Sequence, residues 1–160
     1  MHKMRSMGFA RSLFLAAVVA TLAQQVLASL TEDEKATLKK IEKRYKSLMS
    51  TDISTIFGVL RTCTVDPNVE IAECIASALQ RTGSVKQSNK ANRVPHYLKQ
   101  IDYTCVKVAL TYRKYRSLLS DPTKIRYFST PVGGLLRDQE VCAILDRKHY
   151  TASAVLRALS

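Results

Sequence analysis

Residues 95–119 read PHYLKQIDYTCVKVALTYRKYRSLL, and their apolar side chains recur at intervals of three and four. At about 100° per residue, seven of these side chains fall within an arc of roughly 80°. The seven are Tyr97, Ile101, Cys105, Val108, Tyr112, Tyr115 and Leu119. Proline suits the first turn of a helix, because the amide hydrogen that it lacks has no partner there. The sequence therefore predicts one long helix over 95–119 with this stripe buried in a core.

The same helix carries a second apolar stripe, formed by Tyr103, Val106 and Leu110 at positions i, i+3 and i+7. This stripe lies on the opposite side from the first. A helix that is apolar on two sides is typical of a central helix with neighbours all round, and we favour this interpretation. In the alternative, the three side chains line a ligand cavity or a surface for a partner.

Six basic residues in and before this helix are candidate contacts for a polyanion. Three lie in the acid-free stretch 83–94, GSVKQSNKANRV, which predicts a solvated loop. The other three project away from the buried tyrosines, so their long stems cover apolar neighbours while their charges stay in water. The six are Lys86, Lys90, Arg93, Arg113, Lys114 and Arg116. Because a nucleic-acid surface needs aromatic and basic side chains on one accessible face, no nucleic-acid partner is expected.

The rest of the chain is also predicted to be helical. Thr31 and Glu34 have the spacing of a capping box, in which each side chain satisfies an amide of the other residue. The predicted segments are 32–49, 52–61, 66–83 starting at Asp66-Pro67, 135–148 and a tail over 151–159, with irregular chain over 123–134. We predict an all-α fold: a single disulfide-stabilised bundle of about five helices plus a short C-terminal tail helix.

The N-terminus has the three parts of a secretory signal peptide. Basic residues (Lys3, Arg5 and Arg11) precede an apolar run over 13–23, and small side chains at Val26 and Ala28 suit cleavage after Ala28. The run is too short for a membrane span, which needs about 20 apolar residues. We therefore predict a signal peptide at 1–28 and a secreted helical domain at 29–160, with no transmembrane segment after cleavage. The mature net charge is 22 − 13 = +9.

The cysteines agree with an oxidising compartment. All four, Cys63, Cys74, Cys105 and Cys142, lie in the predicted mature chain, and their spacing fits no zinc motif. Two disulfides are the default expectation for an exported domain. We prefer Cys63–Cys74 with Cys105–Cys142, which requires Cys63 to lie in extended chain, but the two crossed connectivities stay open.

Little catalytic chemistry is visible in the sequence. His96 and His149 lie in separate segments without a carboxylate partner, and no hydrolase, zinc-protease or phosphate-loop motif is present. We therefore expect no enzyme, no catalytic residue, no cofactor and no bound metal.

Two classes of function fit these features. The first is a secreted binding protein that carries a small apolar molecule in an interhelical cavity or docks on an extracellular protein. The second is a cationic effector that binds anionic membranes or sulfated polysaccharides, because a strong positive charge attracts such surfaces over long distances.

Overall fold

The computed structural model describes residues 30–160, and over this range it contains α-helices, one 3₁₀ turn and no strand. The helices are α1 Glu32–Leu48, α2 Thr51–Cys63, α3 Ile71–Arg81, α4 Lys90–Lys114, α5 Arg116–Leu119, α6 Thr130–Lys148 and α7 Ala152–Ala158; the 3₁₀ turn is Ile125–Tyr127. The all-α prediction is confirmed, whereas seven α-helices replace the expected five and a tail. The predicted signal peptide at 1–28 lies outside the described residues.

Two clusters of buried side chains form the core, and α4 and α6 contribute to both. The larger cluster joins α2, α3 and α7 to the first half of α4 and the second half of α6. The smaller cluster joins α1 and α5 to the second half of α4 and the first half of α6. Since α4 contributes to both clusters and packs against α1, α6 and α7, it is the central helix of the bundle, although these neighbours do not surround it.

The predicted stripe of α4 does face the core. Tyr97, Ile101 and Val108 are buried, while Cys105 and Tyr112 are partly buried. Helix α1 also follows its prediction: Thr31 accepts a hydrogen bond from the Glu34 amide at 3.1 Å, and the Glu34 carboxylate accepts one from the Thr31 amide at 2.8 Å. In the described part of the chain, no helix combines the length and the hydropathy that a bilayer crossing requires.

The start and the end of the long helix differ from the prediction. Helix α4 begins at Lys90 and holds Pro95 in its second turn, where the fully buried Val94 packs in the core and stabilises helical chain ahead of the proline. Lys90 and Arg93 therefore lie on a helix rather than in a loop. The helix ends at Lys114, where Tyr115 leaves helical geometry (φ −111°, ψ 27°) before α5 continues the chain.

Two further boundaries were wrong. Asp66-Pro67 starts no helix; the Asp66 carboxylate instead accepts a hydrogen bond from the Asn68 amide at 2.9 Å, which closes a turn before α3. Gly133 and Gly134, expected in irregular chain, lie inside α6. A side chain at Gly134 would begin 3.0 Å from the Tyr45 hydroxyl, so glycine serves the close packing of α1 on α6 rather than a break in the helix.

Candidate functional site

Two disulfides join the four cysteines in the preferred connectivity, Cys63–Cys74 and Cys105–Cys142. Their Cα atoms lie 5.6 Å and 5.3 Å apart, within the usual range for a bridge. Cys63 is the last residue of α2 rather than part of an extended segment, so the first bridge closes the link between α2 and α3 from a helix end. The second bridge fastens α4 to α6.

The second stripe of α4 is exposed. Tyr103, Val106 and Leu110 are 62%, 50% and 47% accessible, so the prediction that α4 has neighbours all round is wrong. The reason is that α1, α6 and α7 cover only the other sides of this helix. Among residues 30–160, five large apolar side chains are exposed, and this stripe holds three of them. We call these three residues the α4 stripe.

A groove of about 620 Å³ runs beside the α4 stripe, between α4 and α6. Its α4 wall contains Ile101, Asp102, Cys105, Val106 and Ala109; the opposite side contains Gln139, Cys142, Ala143, Leu145, Asp146, His149 and Tyr150. The Cys105–Cys142 bridge contributes to this lining. The small side chains of Ala109 and Ala143 leave space between the two helices. Val106 belongs to both the stripe and the groove, so the two features form one continuous face.

The link between α6 and α7 closes one end of this α4–α6 groove. His149 and Tyr150 form that link, and both also line a second groove of about 360 Å³ beside the turn before α3. His149 has a positive φ of 50°, a conformation that a residue with a side chain seldom adopts. Burial and the Asp102 carboxylate both raise the pKa of Tyr150, and both residues line the α4–α6 groove.

Charge is unevenly distributed over this face. Asp102 and Asp146 line the α4–α6 groove, and its lining contains no lysine or arginine. The α4 stripe has cations beside it instead: Lys99 precedes Tyr103 by one turn, Arg113 follows Leu110, and the Lys107 ammonium lies 5.5 Å from the centre of the Tyr103 ring. A negative groove therefore lies next to a positive ridge.

The six candidate polyanion contacts do not come together. Lys86 and Arg93 are exposed near the start of α4, with Lys90 partly covered, while Arg113, Lys114 and Arg116 are exposed near its end. Arg93 and Arg113 are twenty residues apart in one helix, which corresponds to about 30 Å at 1.5 Å per residue. They form two separate basic groups.

A buried polar network, not predicted from the sequence, is centred on Asp138. Asp138 of α6 is fully buried and accepts hydrogen bonds from the Tyr45 hydroxyl at 2.5 Å and from Nε of Arg61 at 2.6 Å; Arg61 also donates to the Tyr45 oxygen at 3.1 Å. Burial and the hydrogen bond to Asp138 raise the pKa of Tyr45, so the phenol stays protonated. In the sequence, Asp138 falls between Leu135 and Cys142 at the spacing of one helical face. This position of an acid on a predicted buried stripe could have indicated a buried carboxylate.

This network joins α1, α2 and α6, and none of its three residues lines either of the two grooves described above. The two histidines of residues 30–160 remain apart: His96 pairs with Gln100 on α4 at 3.1 Å, and His149 lies after α6. Over the same range, no three His, Cys, Asp or Glu side chains lie close enough together to hold a metal ion.

Comparison with known proteins identifies no related family, protein or structure. No protein-family model matches the chain, and searches of curated proteins and of solved structures returned no significant similarity.

Proposed function

We propose that the protein is a secreted, non-enzymatic binding protein that docks on another extracellular protein through the α4 stripe. One observation carries the proposal: three of the five exposed large apolar side chains of residues 30–160 lie together on one helix. Single exposed apolar residues are ordinary on a protein surface, whereas a contiguous group marks an interaction site. The predicted signal peptide and the two disulfides support an extracellular setting.

The composition of this face suits a protein interface. Protein interfaces combine an apolar centre with a polar rim, and tyrosine is among the residues that contribute most to binding. Tyr103 is rigid and large, and Lys99, Lys107 and Arg113 supply a basic rim. The partner expected from this arrangement has an apolar ridge flanked by carboxylates, because opposite charges at the rim speed association and exclude wrong partners.

A second candidate is the carriage of a small apolar molecule in the α4–α6 groove. The volume of about 620 Å³ supports it, since ligand sites commonly measure about 300–1,000 Å³. A third, binding to anionic membranes or sulfated polysaccharides, is supported by the excess of 22 basic over 13 acidic residues in the predicted mature chain. The separation of the basic residues into two groups makes it the weaker proposal.

Site-specific photocrosslinking tests the docking proposal. A photoreactive amino acid at Val106 is expected to trap a partner in the native extracellular fluid, and the same group at Val65 is the control. Val65 is also exposed but lies between α2 and α3. The trapped protein is then purified, and its affinity for the unmodified chain is measured by titration calorimetry.

We expect a saturable complex that Tyr103→Ser or Leu110→Ser weakens at least about tenfold, as loss of a central interface residue typically does, and that Val65→Ser leaves unchanged. Equal affinity for all three variants would contradict docking through the α4 stripe. Retention of the protein on heparin well above physiological salt, undiminished by the stripe variants, would favour the cationic effector.

A further inference from the structure

We infer that the α4–α6 groove binds a small amphiphilic amine, with its ammonium group between Asp102 and Asp146 and its apolar part against the floor of the groove. This inference goes beyond protein docking. It depends on the groove carboxylates rather than on Tyr103 and Leu110, so either proposal can fail while the other stands.

The electrostatics of the groove favour a cationic ligand. The mature chain is strongly basic, yet the groove lining contains two carboxylates and no lysine or arginine. Asp102 comes from α4 and Asp146 from α6, so the two carboxylates stand on opposite walls. Neither forms an ion pair with any residue of 30–160. The basic residues of the adjacent ridge are not ion-paired with either aspartate, so both carboxylates remain open to a positive group inside the groove.

The shape and chemistry of the groove lining favour an amphiphilic molecule. The base of the groove is formed by the Cys105–Cys142 bridge over the buried side chains of Ile101 and Leu145, and Ala109 and Ala143 keep the space above it open. Tyr150 lies at the end of the groove near Asp102, where an aromatic ring can also contact a cation. Apolar contact below and negative charge at the walls match a molecule with an ammonium head and a hydrocarbon body.

The two carboxylates also disfavour other ligands inside the groove. A fatty acid or another anionic amphiphile would bring its carboxylate toward Asp102 and Asp146, and like charges repel. A neutral apolar molecule would fill the floor but leave both carboxylates without a counter-charge. The ligand class that uses both features is the organic ammonium.

Three probes with one tail and different head groups test this inference: hexylammonium, hexan-1-ol and hexanoate. Binding to the full mature chain is followed by amide chemical shifts of Ala109, Ala143 and Tyr150 at neutral pH. We expect saturable shifts with hexylammonium, weaker ones with hexan-1-ol and none with hexanoate. Ala143→Leu, which fills the groove, should abolish the shifts.

Charge variants assign the effect to the carboxylates. Asp102→Asn and Asp146→Asn should each weaken hexylammonium binding about two- to fivefold, the range expected for one solvent-accessible ion pair. Both should leave hexan-1-ol binding unchanged. Glu140→Gln is the matched control, because Glu140 is an exposed acid of α6 outside the groove lining.

Three results would overturn the inference: equal affinity for hexylammonium and hexan-1-ol, unchanged hexylammonium binding in both aspartate variants, or no saturable shift with hexylammonium up to its solubility. The first would leave the groove as a site for neutral apolar molecules. None of them bears on docking through the α4 stripe.

Discussion

Asp138 decides how three helices meet. Its carboxylate is buried, and both of its hydrogen-bond donors come from other helices, Tyr45 from α1 and Arg61 from α2. A buried charge is tolerated only when it is paired and hydrogen-bonded. The Arg61 side chain is 28% accessible, so the pair connects the interior to the surface.

Asp138→Asn is expected to lower the free energy of unfolding by about 3 kcal/mol, because the loss of one partner leaves a buried group uncompensated. The amide keeps the shape of the carboxylate but not its charge, so the Arg61 guanidinium loses its counter-ion. Urea unfolding at neutral pH measures the change. Glu140→Gln, an exposed position of the same helix, should change the free energy of unfolding by less than about 0.5 kcal/mol. A loss below about 1 kcal/mol for Asp138→Asn would contradict a stabilising role of the network.

The raised pKa of Tyr45 should make the stability of the protein depend on pH in the alkaline range. Burial and Asp138 raise its folded pKa above the ordinary value of 10.0, so the native state holds the phenolic proton more tightly than the unfolded state. The protonated phenol therefore contributes fully to the free energy of unfolding below about pH 10, and this contribution falls as the pH rises further. Urea unfolding between pH 9 and 11 should show this decline, and Tyr45→Phe should reduce its slope. Tyr150→Phe should reduce it separately, since the pKa of Tyr150 is also raised. An unchanged slope in Tyr45→Phe would show that the phenol ionises freely in the folded state.

Within the elements, α6 contains a matched pair of glycines. Gly133 has open space around it, whereas a Cβ atom at Gly134 would meet the Tyr45 ring and hydroxyl at 3.0–3.4 Å. Gly133→Ala should raise the free energy of unfolding by about 0.5–1 kcal/mol, because alanine favours the helix. Gly134→Ala should lower it instead, since Tyr45 must shift and its hydrogen bond to Asp138 weakens. Thermal unfolding of the two variants measures these opposite changes in stability. Stabilisation by both substitutions would contradict the prediction, because it would mean that Tyr45 has room to move.

The same helices show what could be predicted from sequence. The buried stripe of α4 and the capping box of α1 depend on side chains close together along the chain, and both predictions were confirmed. The start of α4 and the continuity of α6 through Gly133 and Gly134 depend on Val94 and Tyr45 meeting distant elements. Local propensity carries no information about such contacts, so proline and glycine predicted boundaries that tertiary packing overrides.

The candidate site likewise combines features that the sequence predicts with features that depend on how the helices pack. Periodicity placed Tyr103, Val106 and Leu110 on one stripe, but only the arrangement of neighbouring helices shows that this stripe faces water. The α4–α6 groove could not be predicted, because Asp102 and Asp146 are 44 positions apart in the numbering and meet only when α4 and α6 pack. The cysteine connectivity depended on the same packing, which is why three arrangements stayed open.

At the scale of the whole molecule, α4 and α6 join the two core clusters, and the Cys105–Cys142 bridge fastens these two helices to each other. The other bridge belongs to the larger cluster alone and joins α2 to α3. Unfolding of either cluster therefore disturbs helices that belong to the other. We expect a single cooperative transition for the predicted mature chain.

Removal of each disulfide tests this arrangement. The bridged cysteines are 37 residues apart in Cys105–Cys142 and 11 apart in Cys63–Cys74, so the longer loop restricts the unfolded chain more. Chain entropy alone gives a loss of about 4 kcal/mol for Cys105→Ser with Cys142→Ser, against about 3 kcal/mol for Cys63→Ser with Cys74→Ser. The first pair of substitutions should also broaden the thermal transition, because it loosens the two helices that connect the clusters. Calorimetry of both double variants measures the loss and the cooperativity together. Greater damage from the shorter loop, or a sharp transition without the longer one, would contradict the central role of the contact between α4 and α6.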